Sequence, residues 1–364
     1  MVQTIEREGI SNNIPENKIQ KIQGSLAIQK TMNVLHITTT DPAGAGYNLV
    51  RALNEHTDVR ARIITTHPNV FGHPDDISTV FDQYDEFESL LLDADVVHFH
   101  KVDETFEVKT PDQSSRKRSW RISDFLNVGG KHKKKIYHVH GHPYERAHVR
   151  ENALHYAKLG SRVLTATPDL ELAYNANCNA SYFPNCVPVN DIRYLPRATN
   201  KMMRGRDGKD YYFIGHTVST PHLKNVKEIS NVVSKLGQYY PVRYFRISDM
   251  KFETAIKIKR HCHIIFDHMQ GYYGLGSLEG FSMGKPVIAG LNDYCLKRIC
   301  EFFDCWETPW QIARTENEIR DAITDMICTP EMMIAIGIDG RTFMEDVWND
   351  KFIAGRLAEI YKSL

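Results

Sequence analysis

The sequence has no long apolar run, no C-x-x-C pair and no excess of charge of either sign, and each lack removes a class of protein. No stretch approaches the roughly 18 consecutive apolar residues of a membrane-spanning helix, and the N-terminus lacks a basic segment followed by an apolar one, so neither insertion nor export is expected. The seven cysteines are odd in number and show no paired spacing, which argues against a disulfide framework and against a structural zinc site. Reduced thiols in a cytoplasmic protein are the expectation. His261, Cys262 and His263 look like metal ligands, but they run directly into Ile264, Ile265 and Phe266 and read as the entrance to a strand. Forty-five basic residues balance 45 acidic ones, leaving no global electrostatic reason to bind nucleic acid or anionic lipid.

What is present is ordinary in amount, with 42% hydrophobic and 25% charged residues, as in globular proteins generally. At 364 residues the chain exceeds one ordinary core, so two domains with a cleft between them are expected. Residues 1–31 are polar and read as an extension outside the fold. From Asn33, "NVLHITT" is a short strand, "DPAGAG" a glycine turn, and the next segment a helix with Leu49, Val50 and Leu53 on one face. Strand, glycine turn and helix open a Rossmann-like unit. Further strands are expected at 59–65, 95–100, 135–140 and 162–166, and their alternation with helices implies a parallel sheet.

Prolines, glycines and charges concentrate without periodicity over 183–210, the best candidate for an interdomain linker. The alternation then restarts with a strand at 211–215, a helix from about Lys224 that ends at Gly237, and strands at 242–247 and 263–267. The chain thus divides into a first Rossmann-like domain over 32–190 and a second over 191–349. A terminal helix over 350–364 carries Ile353, Leu357, Ile360 and Leu364 as an apolar stripe that needs a surface to cover.

The densest chemistry lies in "DHMQGYYGLGSLEGFSMGKPVIAG", from Asp267 to Gly290. A strand ends near Asp267, a loop carries Gly271, Gly274 and Gly276, and a helix begins near Leu275. Such a helix start aims free backbone N–H groups at an anion. Glu279 lies about one turn in, where its carboxylate can accept from the vicinal hydroxyls of a ribose. Gly284-Lys285-Pro286 then ends the helix. Tight helix–strand packing would use the same glycines, and composition alone leaves both readings open.

The stretch "YYGLGSLEGFSMGKPVIAG" resembles the donor-site signature of GT-B glycosyltransferases, specifically the large retaining family 4. "DPAGAGYNLVRAL" resembles the family's N-domain glycine loop and helix, "ADVVHFH" the strand entering the cleft, "VHGHP" the catalytic-histidine loop, "FPNCV" the stretch before the linker, and "FIGHTVSTPHLKNV" the strand and loop with phosphate-binding basic residues. The resemblance covers roughly residues 33 to 364. It implies an α/β protein of GT-B fold, two Rossmann-like domains facing each other across a cleft, with the terminal helix crossing back to the first domain. Its activity would be transfer of a hexosyl group from a nucleoside diphosphate sugar, UDP- or GDP-linked, with retention and without a metal or other cofactor. The acceptor would be a glycan or a lipid-linked molecule, as in polysaccharide biosynthesis.

Carried onto this sequence, the resemblance makes His140 and Lys224 the catalytic pair, His140 contacting the donor sugar and Lys224 neutralising the departing diphosphate. It places Gly215, His216, Tyr272, Tyr273, Gly274, Leu275, Gly276 and Glu279 around the donor, and Gly44, Ala45 and Gly46 in the acceptor-side loop. The sequence departs from the family twice. Gly271 stands where the first carboxylate of a Glu-x7-Glu pair belongs, and His216 follows Gly215 where an arginine is usual. Asp93-Ala94-Asp95 resembles the Asp-x-Asp metal motif of the other glycosyltransferase fold but precedes its strand, and it reads as a helix end. Arg116, Lys117, Arg118 and Arg121 around Trp120 suit either an exposed loop or a peripheral contact with a membrane surface such as the inner membrane. Nucleic acid is not a favoured partner, and the oligomeric state is open. A nucleotide-sugar epimerase of the same fold, or a non-catalytic nucleotide-sugar binding module, are the rival readings.

Overall fold

The computed structural model describes residues 31–74, 76–77, 84–109, 119–126, 133–160, 162–197, 201–218 and 224–364. Apart from Thr31, the expected N-terminal extension lies outside the described residues, as do Arg116, Lys117 and Arg118 of the basic run.

In chain order the first half gives β1 (Met32–Thr38), α1 (Ala45–His56), β2 (Val59–Thr65), α2 (Tyr84–Asp93), β3 (Val96–His100), β4 (Glu107–Lys109), β5 (Ser119–Arg121), α3 (Ser123–Leu126), β6 (Lys134–Val139), α4 (Pro143–Ala147), α5 (Val149–Lys158), β7 (Arg162–Thr165), α6 (Pro168–Asn175) and β8 (Ala180–Tyr182). The second half gives β9 (Met203–Arg204), β10 (Asp210–Thr217), α7 (Val226–Leu236), β11 (Val242–Ile247), α8 (Phe252–His261), β12 (Ile264–Phe266), α9 (Leu275–Ser282), β13 (Val287–Ala289), α10 (Asp293–Phe303), β14 (Gln311–Ile312), α11 (Glu316–Cys328), α12 (Pro330–Asp346) and α13 (Asp350–Ser363).

Two sheets result. The first runs β2-β1-β3-β6-β7-β8 and every pairing in it is parallel. The second runs β11-β10-β12-β13-β14, also parallel, with β9 added antiparallel to β10. In each sheet the strand order reverses once, beside β1 and beside β10, and the carboxyl ends of strands at such a reversal are where open α/β sheets bind ligands.

The two faces of the first sheet differ. Leu35, Ile37, Val97, Phe99 and Tyr137 pack under α2 and α3 as one apolar cluster. On the other face Val34, Val96 and Ile136 are apolar at the amino ends of the strands, whereas His36, His98, His100 and His138 follow toward the carboxyl ends, all buried.

That second face is covered by α1 and α13. Ile353, Ala354, Leu357, Ala358 and Tyr361 of α13 are buried, while Ile360 and Leu364 are half-buried at its margin. The buried stripe therefore turns toward Tyr361, which the reading of Ile360 and Leu364 as core positions missed. The cause is polar: the Tyr361 hydroxyl reaches His36 Nε2 at 3.0 Å and His98 Nδ1 at 2.6 Å. Arg51 of α1 pairs with Asp350, and Lys362 with Asp58, at the two ends of the same contact.

The segment expected to be a linker is partly core. Phe183, Cys186, Val187, Val189 and Tyr194 are buried in the largest apolar cluster, and the Trp348 indole donates to the Asn185 carbonyl at 2.9 Å. Charge and proline density did not mark a free linker here, because the apolar residues between them are buried in that core, where Arg341 of α12 donates to the Val189 carbonyl at 3.0 Å. All seven cysteines are free thiols. No helix among the described residues is long and apolar enough to cross a membrane.

Candidate functional site

The carboxyl end of β12 leads through residues 267–274 into α9. Gly274 caps the helix with extended backbone and no side-chain cap, and the first turn carries no acid. Asp267, buried at the strand end, accepts from the Gly274 N–H at 2.5 Å, from the Ser277 hydroxyl at 2.7 Å and from the Lys224 ammonium at 2.7 Å. Burial pushes the Asp267 carboxyl up, but His268, Lys224 and the Gly274 N–H outweigh it and hold it well below the usual carboxylate range. The next N–H groups, of Leu275 and Gly276, make no hydrogen bond with any described residue, as the first turn of an α-helix requires unless something caps it.

Those groups open on a cavity of about 210 Å³ lined by Lys224, Leu275, Gly276 and Glu279 on one side and by Pro42, Ala43, Phe71 and His73 of the first half on the other. Glu279 pairs there with Lys259 of α8, an ammonium almost wholly withdrawn from solvent. The first half reaches over this cavity: the Phe252 N–H donates to the Phe71 carbonyl at 2.7 Å, Lys251 donates to the Val70 carbonyl at 3.0 Å, and His73 stacks on Phe252 with ring centres 4.1 Å apart.

A second cavity of about 320 Å³ adjoins it and collects Asp41, His100, Lys101, His140, Arg146, Asn185, Lys224, His268 and Tyr272. On its first-half wall, Gly44 adopts the left-handed φ of 66° that lets the chain turn from β1 into α1. The start of α1 is filled from within, because Asp41 accepts the Gly46 N–H at 3.1 Å and the Tyr47 N–H at 2.9 Å. His140, one residue past β6, is held at both nitrogens, by Asn185 Oδ1 at 2.9 Å and by His100 at 2.7 Å. Burial, reinforced by His138 and Lys101, keeps its pKa well below the ordinary histidine value. Arg146 lies 3.6 Å above the Tyr272 ring and pairs with Asp169.

Of the residues expected from sequence, Lys224, Leu275, Gly276 and Glu279 share one cavity, and His140, Tyr272, Tyr273, Gly274 and Ala45 share the other with Lys224. Gly44 and Gly46 serve the turn itself; a Cβ on Gly46 would come within 2.7 Å of Ile63. Gly215 and His216 line neither cavity. A Cβ at Gly215 would lie 2.6 Å from Cys262 Sγ, so that glycine serves close packing. His216 is buried against Phe266, meets the Tyr244 hydroxyl at 2.9 Å, and has its pKa lowered to about 3 by burial and by Lys224. Tyr273 is buried too, its hydroxyl donating to the Ala166 carbonyl at 2.8 Å and meeting Tyr182 at 2.9 Å, which ties the loop to the first half. Sequence reasoning missed Asp267, Lys259, Asp41 and Asn185. Asp267 stood at the head of the key stretch, whereas the partnership of Lys259 with Glu279 had no local signal, being 20 residues apart on two helices.

Two histidine triads, His36–His98–His100 and His100–His138–His140, bring nitrogens within reach of a common metal ion. The His36, His100 and His140 nitrogens, however, meet directly at 2.7 to 2.9 Å in hydrogen bonds. Ligands around a tetrahedral zinc stand roughly 3.4 Å apart, given Zn–N bonds of about 2.0 to 2.1 Å. The rings also stack, as His98 on His100 at 16°, and do not converge on a point. The triads fit a hydrogen-bond array better than a metal. Asp93 and Asp95 sit at the opposite end of the first sheet: Asp93 lines a separate cavity with Asn33, and Asp95 accepts the Asn33 N–H at 3.0 Å.

No protein-family model matches the chain, and no curated protein matches it by sequence. By structure it is similar to HepE of Anabaena in complex with UDP and glucose, at 14% identity and a TM-score of 0.60 over 92% of this chain and 100% of that one. It is similar to sucrose-phosphate synthase from Thermosynechococcus elongatus, at 14% identity and a TM-score of 0.57 over 91% and 98% of the two chains. It is also similar to an alpha-glucosyltransferase in complex with UDP and a 13-mer DNA containing a HMU base, at 7% identity and a TM-score of 0.64 over 91% and 100%. Taken with the two parallel sheets, these likenesses show that the fold is GT-B, two Rossmann-like halves across a cleft, as expected from the sequence.

Proposed function

We propose that the protein transfers a hexosyl group from a nucleoside diphosphate sugar to an acceptor, with retention and without a metal ion. The observation that carries this reading is the start of α9, where the N–H groups of Leu275 and Gly276, unpaired among the described residues, with Lys224 beside them, face a cavity that also holds Glu279. A diphosphate suits the first two features and a ribose the third. UDP in the HepE and alpha-glucosyltransferase structures supports a uridine nucleotide as the first donor to try. As the bond to the sugar breaks, negative charge grows on the diphosphate, and the helix start and Lys224 are fixed where it develops. The leaving phosphate can itself take the acceptor proton, so no separate general base is required. A glycan or lipid-linked acceptor would enter from the His140 side.

Calorimetry with UDP, with and without EDTA, tests the donor site. Lys224→Ala and Glu279→Gln should each weaken UDP by about 1.5 to 3 kcal/mol, the range for a hydrogen bond to a charged group. Binding and UDP-sugar turnover should both survive EDTA. Unchanged affinity in both variants would remove the donor role from this cavity, and turnover that returns only with manganese or magnesium would end the metal-free reading. Tight binding with neither transfer nor donor hydrolysis would mark a binding module, and a changed sugar without acceptor an epimerase.

A further inference from the structure

Four imidazoles on one face of the first sheet form a single line of hydrogen bonds closed by a side chain of the terminal helix. His140 Nδ1 meets Asn185 Oδ1 at 2.9 Å, and His140 Nε2 meets His100 Nδ1 at 2.7 Å. His100 Nε2 meets His36 Nδ1 at 2.9 Å, and His36 Nε2 meets the Tyr361 hydroxyl at 3.0 Å. That hydroxyl also meets His98 Nδ1 at 2.6 Å. Burial lowers the pKa of all four rings, so each is neutral near pH 7 and carries one N–H and one lone pair.

One end therefore decides the direction of the whole line. Asn185 turns an oxygen to His140, so His140 holds its proton on Nδ1 and accepts at Nε2. His100 and His36 must then each donate from Nδ1 and accept at Nε2. Tyr361 donates to His36 and accepts from His98 Nδ1–H. Followed to its end, this leaves His98 Nε2 as a bare lone pair, and that atom is indeed buried with no partner. The reverse direction sets two acceptors against each other at Asn185 and buries an N–H of His98 without an acceptor, the rarer defect in folded proteins. His138 stands outside the line, donating from Nε2 to the Phe183 carbonyl at 3.1 Å and leaving Nδ1 unpartnered.

We propose that Asn185 and Tyr361 are positioning residues for the cleft: Asn185 fixes the proton of His140 on Nδ1, and Tyr361 of the terminal helix, donating to His36, holds His36 and His100 in the same direction and locks the angle of the His140 ring. The consequence for chemistry rests on the transfer reading above. With both nitrogens engaged, His140 presents a fixed ring to the sugar and takes no proton from the acceptor; a substrate hydroxyl gains a His140 nitrogen only by displacing His100 or Asn185.

Histidine-selective 15N labelling with long-range proton–nitrogen correlation, on the full chain, reads the tautomer of each ring. His36, His98, His100 and His140 should give the Nδ1–H pattern and His138 the Nε2–H pattern. Tyr361→Phe removes the donor to His36 but leaves Asn185 on His140, so the Nδ1–H pattern should hold at His140 and His100 while the His36 Nε2 signal shifts with the loss of its hydrogen bond, and kcat should fall at unchanged donor KM. Asn185→Asp, which keeps an oxygen against His140, should preserve the pattern. An Nε2–H His140 in the unaltered protein, or an unmoved His36 Nε2 signal with unchanged kcat in Tyr361→Phe, would overturn the proposal. Should Tyr361→Phe not fold, the spectrum of the unaltered protein still decides. The expected tautomers in a protein that transfers no sugar would refute the transfer reading alone.

Discussion

Two helix starts face the same cleft and are finished differently. α1 has its Gly46 and Tyr47 N–H groups taken by Asp41 of its own loop, whereas the carboxylate of Asp267 before α9 takes, of the backbone N–H groups there, only that of Gly274, and those of Leu275 and Gly276 make no hydrogen bond with any described residue. A glycine-rich strand–helix turn is therefore not by itself an anion site; what decides is whether the loop supplies its own carboxylate. The side chains around the two starts differ in kind as well. The first half sets an array of neutral imidazoles behind its end of the cleft, of which His100 and His140 reach the cavity beside the Arg146–Asp169 pair, whereas the second half places there the ion pairs Lys224–Asp267 and Lys259–Glu279. The first wall should depend on burial and proton count, the second on keeping each charge matched.

The largest expected break removes the cover of the imidazole wall. Ile353, Leu357 and Tyr361 are fully buried, and each such side chain contributes about 1.5 to 3 kcal/mol. Deleting residues 350–364 should therefore cost roughly as much as the whole stability of an ordinary domain, about 5 to 15 kcal/mol. Circular dichroism should show a chain largely unfolded or melting far lower, and an unchanged melting temperature would mean that α13 is not the cover it looks to be.

Acid should come next. The pKa of His36 is lowered to about 3 and that of His138 to about 4, with His98, His100 and His140 well below the ordinary value, burial being the main cause in each. The folded values lie below the unfolded one of about 6.5, so the unfolded chain binds more protons once pH falls under that value. Stability is then full above about pH 6.5 and lost as pH drops, by up to about 1.4 kcal/mol per unit for each ring. In the second half burial lowers His216 and His268 to about 3 and lowers His263 as well, against seven lowered rings in the first, the five above with His73 and His142. Denaturant melts between pH 7 and 5 should lose several kcal/mol, and hydrogen exchange should open the first sheet before the second. A flat profile, or the opposite order, would mean that the imidazole wall carries charge when folded.

The fold was legible because its signals are local. Strands 59–65 and 242–247 appear at their expected ends, and α9 starts at Leu275, since glycine turns and apolar runs act within a few residues. β4, β5, β8, β9 and β14 escaped notice because segments of two or three residues carry no period, whereas β12, equally short, was legible from its apolar run and the glycine loop that follows it. Within the site, glycines and the helix carboxylate could be read from spacing. Asn185 with His140, or Tyr361 with His36, could not, because partners 45 and 325 residues apart meet only once both sheets and the terminal helix are in place. The histidines of "HFH" and "HVHGH" did carry a signal: alternation puts them on one face of adjacent strands.

The smallest effect concerns Gly271, where the resembled family has a carboxylate. Its φ of 85° lies in the left-handed region, its N–H donates to the Gly290 carbonyl at 3.0 Å, and its own carbonyl accepts the Asn292 N–H at 3.0 Å. The backbone is thus pinned on both sides in a conformation that costs an L-residue about 1 to 2 kcal/mol, and a Cβ would come within 3.1 Å of the Asn292 amide. No carboxylate can be restored here without moving the loop that sets the start of α9. Gly160 offers the control in the first half, with a φ of 62° and nothing within 4 Å of an added Cβ. Gly160→Ala and Gly271→Ala should lose similar backbone energy, near 1 kcal/mol, with a little more at Gly271 for the Asn292 contact. They should differ in function: Gly271→Ala should weaken UDP binding because the loop displaces Gly274 and the N–H groups beyond it, and Gly160→Ala should leave UDP binding alone. Equal UDP affinity in the two variants would mean that the loop adjusts without disturbing α9, and that the glycine there answers only to packing.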